Sequence, residues 1–226
     1  MKELTLVVAS KNYSSWSLRP YLALAHTGQP FREVVVPLGQ ADTAASIAKY
    51  SPSGRVPALL YGDLAIWDSL AICEYLAEQF PQAKLWPQDS AARAMARSVT
   101  AEMHSGFSHL RNHMPMNLHA RRPGEGRAPG VAEDISRITS LWTECRRRFG
   151  QGGPFLFGAF SIADAFYAPV VTRFVTYDVE LDAEGAAWRD AVLALPAMKA
   201  WTEAARHEPP VARYEKNQAP ATAPAP

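Results

Sequence analysis

The sequence predicts an α/β domain over residues 1–82 followed by an all-helical domain over 89–217. Three observations predict it. Short apolar runs alternate with helical patterns only up to about residue 82, the stretch from Pro81 to Gln88 reads as a linker, and no strand pattern follows Ser90. Leu4–Ala9 reads as a buried strand, being dense in β-formers with no polar face. Ser17 is read as a helix N-cap with Pro20 in the first turn, where its missing N–H costs nothing. That helix runs through Leu22 and Leu24 until Gly28 ends it. Phe31–Val36 is a second strand stopped by Pro37, and 41–50 is a short helix before the turn cluster Ser51-Pro52-Ser53-Gly54. Val56–Tyr61 and Leu64–Trp67 flank Gly62-Asp63, a hairpin signal. Asp68 caps a helix reaching Phe80, with Leu70, Ile72, Cys73 and Leu76 at helical spacing. The order strand–helix–strand–helix–hairpin–helix predicts a parallel first crossover and an antiparallel end.

Beyond the linker, Ser90–His119 reads as one long helical region kinked or ended near Pro115, and 121–130 as a Gly-, Pro- and Arg-rich loop. Val131–Phe149, Ser161–Tyr177 and Pro196–His207 are further helices, and 218–226, made of Ala, Pro and Thr, is expected to be disordered.

Composition bounds the function. The chain has 226 residues, 48% of them hydrophobic, and 23 basic against 22 acidic side chains leave a net charge of +1. That balance argues against nucleic acid or an anionic membrane as partner, and no apolar run approaches the ~18 residues of a membrane span. The N-terminal apolar stretch is too short for a signal peptide, and the two cysteines, Cys73 and Cys145, form no motif. A cytoplasmic protein with reduced thiols is expected. His109 and His113 stand four apart on a helix, but the residues between them supply no glutamate of a metal motif, so no metal is expected. Arg121-Arg122 and Arg146-Arg147-Arg148 read as solvated loop and helix-end charges.

Three segments carry a resemblance: Ser14-Ser15-Trp16-Ser17-Leu18-Arg19, Val56-Pro57, and Trp67 to Leu76 with Asp68-Ser69 at its head. Together they resemble the cytosolic glutathione S-transferases, closest to the serine-type, zeta-like bacterial branch, over nearly the whole chain. The resemblance implies an α/β thioredoxin-like N-terminal domain plus an all-α C-terminal domain, glutathione as co-substrate, a small electrophile as second substrate, and a homodimer. Trp16 stands where the zeta enzymes that isomerise maleylacetoacetate carry cysteine, a departure from that isomerase's pattern.

The residues have their own physical reading beside the resemblance. Ser14, Ser15 and Ser17 lie between a buried strand and a helix N-terminus, where free N–H groups and the macrodipole favour anions. A hydroxyl donor there can stabilise a thiolate brought by a ligand, although serines before helices are also common as plain caps. By the resemblance Ser14 is the catalytic donor, Ser15 the alternative, and Tyr13 an outside candidate because other branches use tyrosine. A thiol pKa lowered by about two units corresponds to about 2.7 kcal/mol, within reach of one charge-assisted hydrogen bond and a helix terminus.

Val56-Pro57 is implied to be cis, with its backbone pairing the cysteinyl unit; an ordinary strand-initial proline is the alternative. Ser69 is implied to hold the γ-glutamyl carboxylate, with Asp68 nearer the ammonium and Arg55 reaching the glycyl carboxylate. Trp16, Met103, His104, Phe107 and Arg111 are expected to line the second-substrate pocket. The expected activity is glutathione transfer to an electrophile. Glutathione-dependent isomerisation, peroxide reduction and non-catalytic binding on the same fold are the alternatives. Ser161-Ile162-Ala163-Asp164 is read as a structural capping box, and Cys73 as core.

Overall fold

The computed structural model describes residues 3–215; the expected disordered tail at 218–226 lies outside them. The N-terminal part runs β1 (Leu4–Ala9), α1 (Ser15–His26), β2 (Phe31–Val36), α2 (Thr43–Ala48), β3 (Ala58–Tyr61), β4 (Leu64–Trp67) and α3 (Ser69–Gln79). The sheet order is β2-β1-β3-β4. β1 and β2 are parallel with Leu4 opposite Phe31, while β3 pairs antiparallel with both β1 and β4. Residues alternate across a strand, so Leu4, Leu6 and Val8 enter the main core with Leu18, Leu22, Ile72 and Leu76. Val7 enters a second, smaller core with Val36, Ile47 and Ala58 under α2. With both faces of β1 covered, its sequence has no polar alternation.

The second part contains α4 (Ser90–Ser105), α5 (Ser108–His113), α6 (Val131–Phe149), α7 (Ile162–Tyr177), α8 (Ala183–Ala194), α9 (Pro196–Ala205) and a last turn, α10 (Ala212–Glu215). The single region expected over 90–119 is broken at Gly106-Phe107, well before Pro115. A Cβ on Gly106 would meet the Glu102 carbonyl at 2.8 Å, and Phe107 takes a left-handed backbone at φ 61°. The helix over 183–194 was not expected from the sequence. Arg146, expected to be solvated, donates to the carbonyls of Gly153 (3.0 Å) and Phe155 (2.7 Å), pinning the loop after α6.

α7 is the centre of this part: fifteen of its sixteen residues are buried. Its apolar surface is continuous because it packs on α1, α4 and α8 at once. The capping box at its head is present as expected. Asp164 accepts from Leu156 N–H (3.0 Å), from the N–H and hydroxyl of Ser161 (2.9 Å each) and from Trp188 Nε1 (2.9 Å). Burial pushes the Asp164 carboxyl above its usual range, and these donors oppose the push. Replacing it with alanine orphans buried donors at about 1–3 kcal/mol each, so Asp164→Ala should lose at least about 3 kcal/mol in urea unfolding.

Candidate active site

The site is built where α1 leaves the sheet. Ser14, not Ser17, is the N-cap of α1, and the helix begins three residues earlier than the sequence reading had it. Pro20 therefore sits in the second turn. Ser14 Oγ accepts from Ser17 N–H (3.4 Å) and donates to Ser17 Oγ (2.7 Å), and Ser17 Oγ accepts from Ala9 N–H (3.1 Å). Ser17 is thus a tie between the end of β1 and the cap. Ser15 Oγ accepts from Arg173 Nη2 at 3.3 Å. Both Ser14 and Ser15 are buried. Tyr13, the outside candidate, is committed elsewhere: its hydroxyl accepts from Val211 N–H (3.1 Å) and donates to the Glu215 carboxylate. Burial and that carboxylate raise its pKa, so it keeps its proton.

Beside the start of α1 lies a cavity of about 550 Å³, lined by Trp16, Ser53, Arg55, Val56, Pro57, Trp67, Asp68 and Ser69. All five residues expected to bind glutathione are among them, whereas the expected catalytic residues Ser14 and Ser15 lie just outside the lining, next to Trp16 in sequence. Ser53 and Trp67 were not among the expected binding residues, although Trp67 opens the third segment of the resemblance; it ends the edge strand β4 and is 47% exposed. The Val56-Pro57 bond is cis. Asp68 takes a left-handed φ of 75° and caps α3, its Oδ1 accepting from Leu70 (2.8 Å) and Ala71 (3.2 Å). Ser69 Oγ is buried with no hydrogen-bond partner among the described residues, at the wall of the cavity.

The residues expected to form a second-substrate pocket separate into two groups. Trp16 lines the cavity, with His104 edge-on at 5.4 Å and Arg19 and Arg111 over its ring at 4.4 and 5.0 Å. Met103 and Phe107 instead pack into the core and do not line the cavity. Arg111 is turned to the end of α4, donating to the carbonyls of Gly106 (2.8 Å), Met103 and His104. The same break that ends α4 early thus captures this guanidinium.

Charge gathers here. Arg19 is fully buried between Trp16 and Phe166, 4.7 Å from the latter ring, and its three nitrogens have no hydrogen-bond partner among the described residues. Burial, and then the neighbouring Arg111 and Arg173, pull Arg19 well below the guanidinium range. Arg173, held by the carbonyls of Met114 (2.8 Å) and Pro169 (3.1 Å), is drawn down by burial and Arg111 to about 9 and stays charged at neutral pH. His104 donates Nε2–H toward Asp68 at 3.3 Å, yet burial keeps its pKa below the ordinary value against the pull of that carboxylate. We read the contact as neutral imidazole to carboxylate. Burial raises the Cys73 thiol, in keeping with a core residue, and Cys145 is pushed up to about 12.

A thioredoxin-like sheet joined to a helical bundle, with two helix N-termini beside one cavity, defines the class to which the comparisons point. Models described as the glutathione S-transferase N-terminal and C-terminal domains match residues 13–79 and 128–204. Glutathione S-transferase 1 of Dianthus caryophyllus is 31% identical over 170 residues, 74% of this chain and 76% of that protein. A probable maleylacetoacetate isomerase of Caenorhabditis elegans is 26% identical over 158 residues, 68% and 73% of the two chains. In fold, the chain matches a glutathione transferase homolog from Burkholderia, solved with bound glutathione, at TM-score 0.67 and 22% identity over 91% of this chain and 98% of that one. The chain belongs to the glutathione S-transferase family and is a glutathione-dependent enzyme.

Two histidines give a prediction. His26 and His104 both have folded pKa values below the ordinary ~6.5, so the unfolded chain takes up protons first as pH falls. Their contribution is complete above about pH 7 and is lost as pH drops through the unfolded value toward the folded ones. Melting temperatures at about pH 7.5 and 5.5 should fall less between the two in His104→Gln than in the parent.

Proposed function

We propose that the enzyme activates glutathione as a thiolate at the N-terminus of α1 for attack on a small electrophile. The observation that carries this reading is positive charge gathered at that point, with carboxylates acting on it only from a distance, Asp68 on Arg19 and Asp134 on Arg111. Arg173 donates to Ser15, Arg19 and Arg111 lie against Trp16, and among the described residues none of the three is in an ion pair. A helix N-terminus adds to the same field. An anion bound there is favoured over its protonated form, which is what lowering a thiol pKa requires.

The fit to glutathione rests on Ser69, whose buried hydroxyl at the cavity wall lacks a partner among the described residues and suits a carboxylate. In this reading Ser69 holds the γ-glutamyl carboxylate, the Val56 backbone pairs the cysteinyl unit, and exposed Arg55 meets the glycyl carboxylate. Asp68 serves the ammonium through lone pairs left over from capping α3. Ser14 is the thiol donor: its hydroxyl donates to Ser17 Oγ at 2.7 Å, and a turn of both hydroxyls reverses that bond and frees the Ser14 O–H for sulfur. Residues 1–82 form the glutathione-binding domain and 89–217 the domain facing the second substrate, in a cytoplasmic homodimer that acts without a metal. Isomerisation on the same thiolate is the second reading, favoured by the relative named as a maleylacetoacetate isomerase.

Two outcomes test this. Ser14→Ala should return the bound thiol pKa toward about 8.5, read from thiolate absorbance against pH, with a smaller effect from Ser15→Ala. If neither raises it, the serine-donor mechanism fails. Ser69→Ala should weaken glutathione binding by about 1.5–3 kcal/mol in calorimetry, the value of a hydrogen bond to a charged group, with the fold intact. A panel of electrophiles and hydroperoxides separates transfer, isomerisation and peroxide reduction; binding to immobilised glutathione without turnover of any of them would favour the non-catalytic alternative.

A further inference from the structure

The loop that aims Ser14 is held on its far side by residues from the other end of the described chain. Residues 10–14 join β1 to α1 without a sheet ladder or helix of their own, so their backbone groups need other partners. Glu208 spreads its two carboxylate oxygens over consecutive backbone N–H groups, Lys11 at 2.7 Å and Asn12 at 2.9 Å. Trp201 Nε1–H donates to the Lys11 carbonyl at 3.0 Å. The Tyr13 ring stacks on Tyr214 at 4.9 Å, and its hydroxyl bridges Val211 N–H and the Glu215 carboxylate.

This is more than a terminus lying on a surface. One ionised group accepting two adjacent amides is a charge-assisted pair that sets the direction of the peptide between them. The Ser14 amide in turn donates to Ser10 O at 3.0 Å, so the cap residue closes the same short loop. We propose that Glu208 is a positioning residue: through Lys11 and Asn12 it orients Ser14 toward the sulfur of bound glutathione, although it touches no substrate. The inference rests on the proposed role of Ser14. It makes the segment after α9 part of the thiol-activating machinery, and that segment is far from the cavity residues in sequence.

The test uses the full chain. A misaimed donor loses its effect on the reacting atom while distant anchors still hold the ligand; a displacement of about 1 Å costs up to about a hundredfold in rate. Glu208→Ala should raise the bound thiol pKa toward about 8.5 and lower kcat about tenfold or more, with glutathione KM within about twofold of the parent. Glu208→Gln, which keeps one acceptor oxygen, should fall between the two and remains readable if the alanine variant does not fold. In a Ser14→Ala background, Glu208→Ala should add no further shift, since positioning acts through that hydroxyl. Glu203→Ala, removing an exposed pair with Arg206, should leave the thiol unchanged. If Ser14→Ala raises the thiol pKa but folded Glu208→Ala and Glu208→Gln do not, the inference is overturned and the serine mechanism stands. An additive effect in the double variant also overturns it. If Ser14→Ala itself leaves the pKa unmoved, the donor reading falls and the inference falls with it.

Discussion

The join between α1 and α7 is the constraint on which the remaining structure depends. α7 is buried around its circumference, and residues along its length serve different neighbours: Asp164 caps the helix and receives Trp188, Phe166 lies against Arg19, and Arg173 reaches Ser15. Thr176, near its end, donates to the Asn117 carbonyl at 3.0 Å, and Asn117 receives Asn12 of the β1–α1 loop at 3.0 Å. One helix of the second part therefore determines where the first turn of α1 stands. A polar contact inside so dry a join is expensive to leave unmade, which favours the arrangement in which Arg173, Thr176 and Asn117 are all satisfied.

The same dryness explains the electrostatics. Stacking of a guanidinium on an aromatic face is worth about 0.5–2 kcal/mol, whereas removing a charge from water costs several. Two rings against Arg19 do not offset its burial, and its pKa falls accordingly. A strongly perturbed ionisable group beside a cavity is a mark of a functional site, and Arg19 lies in α1 behind the tryptophan that lines this one. Trp16 is the surface this charge is presented behind: one tryptophan touches the cavity, Arg19, Arg111 and His104.

Much of the fold was legible because local rules and tertiary demands agree. β1, β2, β4 and α6 have the expected bounds, since a two-sided apolar run, a proline stop, a Gly-Asp hairpin and an amphipathic stripe each have one good solution. The errors fall where long-range contacts override local preference. Ser14 and Ser17 are equally good caps by type, and the choice between them is made by Ala9, whose N–H takes Ser17 into the sheet end. Gly106 ends α4 before Pro115 can, because the Glu102 carbonyl leaves no room for a side chain, and Arg111 closes the break. α8 was missed because its small, mixed residues show only a weak stripe, with Trp188 and Val192 buried.

The sequence by itself determined the domain order, the strand pairing types, the capping box of α7 and five residues that line one cavity. These depend on chemistry within a few residues or on motifs whose spacing already encodes one turn of structure. Only the tertiary structure decided that Met103 and Phe107 belong to the core, that Arg111 serves the end of α4, that Tyr13 is bound to the far end of the chain, and that three arginines converge on one helix start. Each of those outcomes depends on which distant group a side chain can reach once the helices have packed. A one-dimensional pattern carries the face a residue occupies but not the neighbour that face will meet.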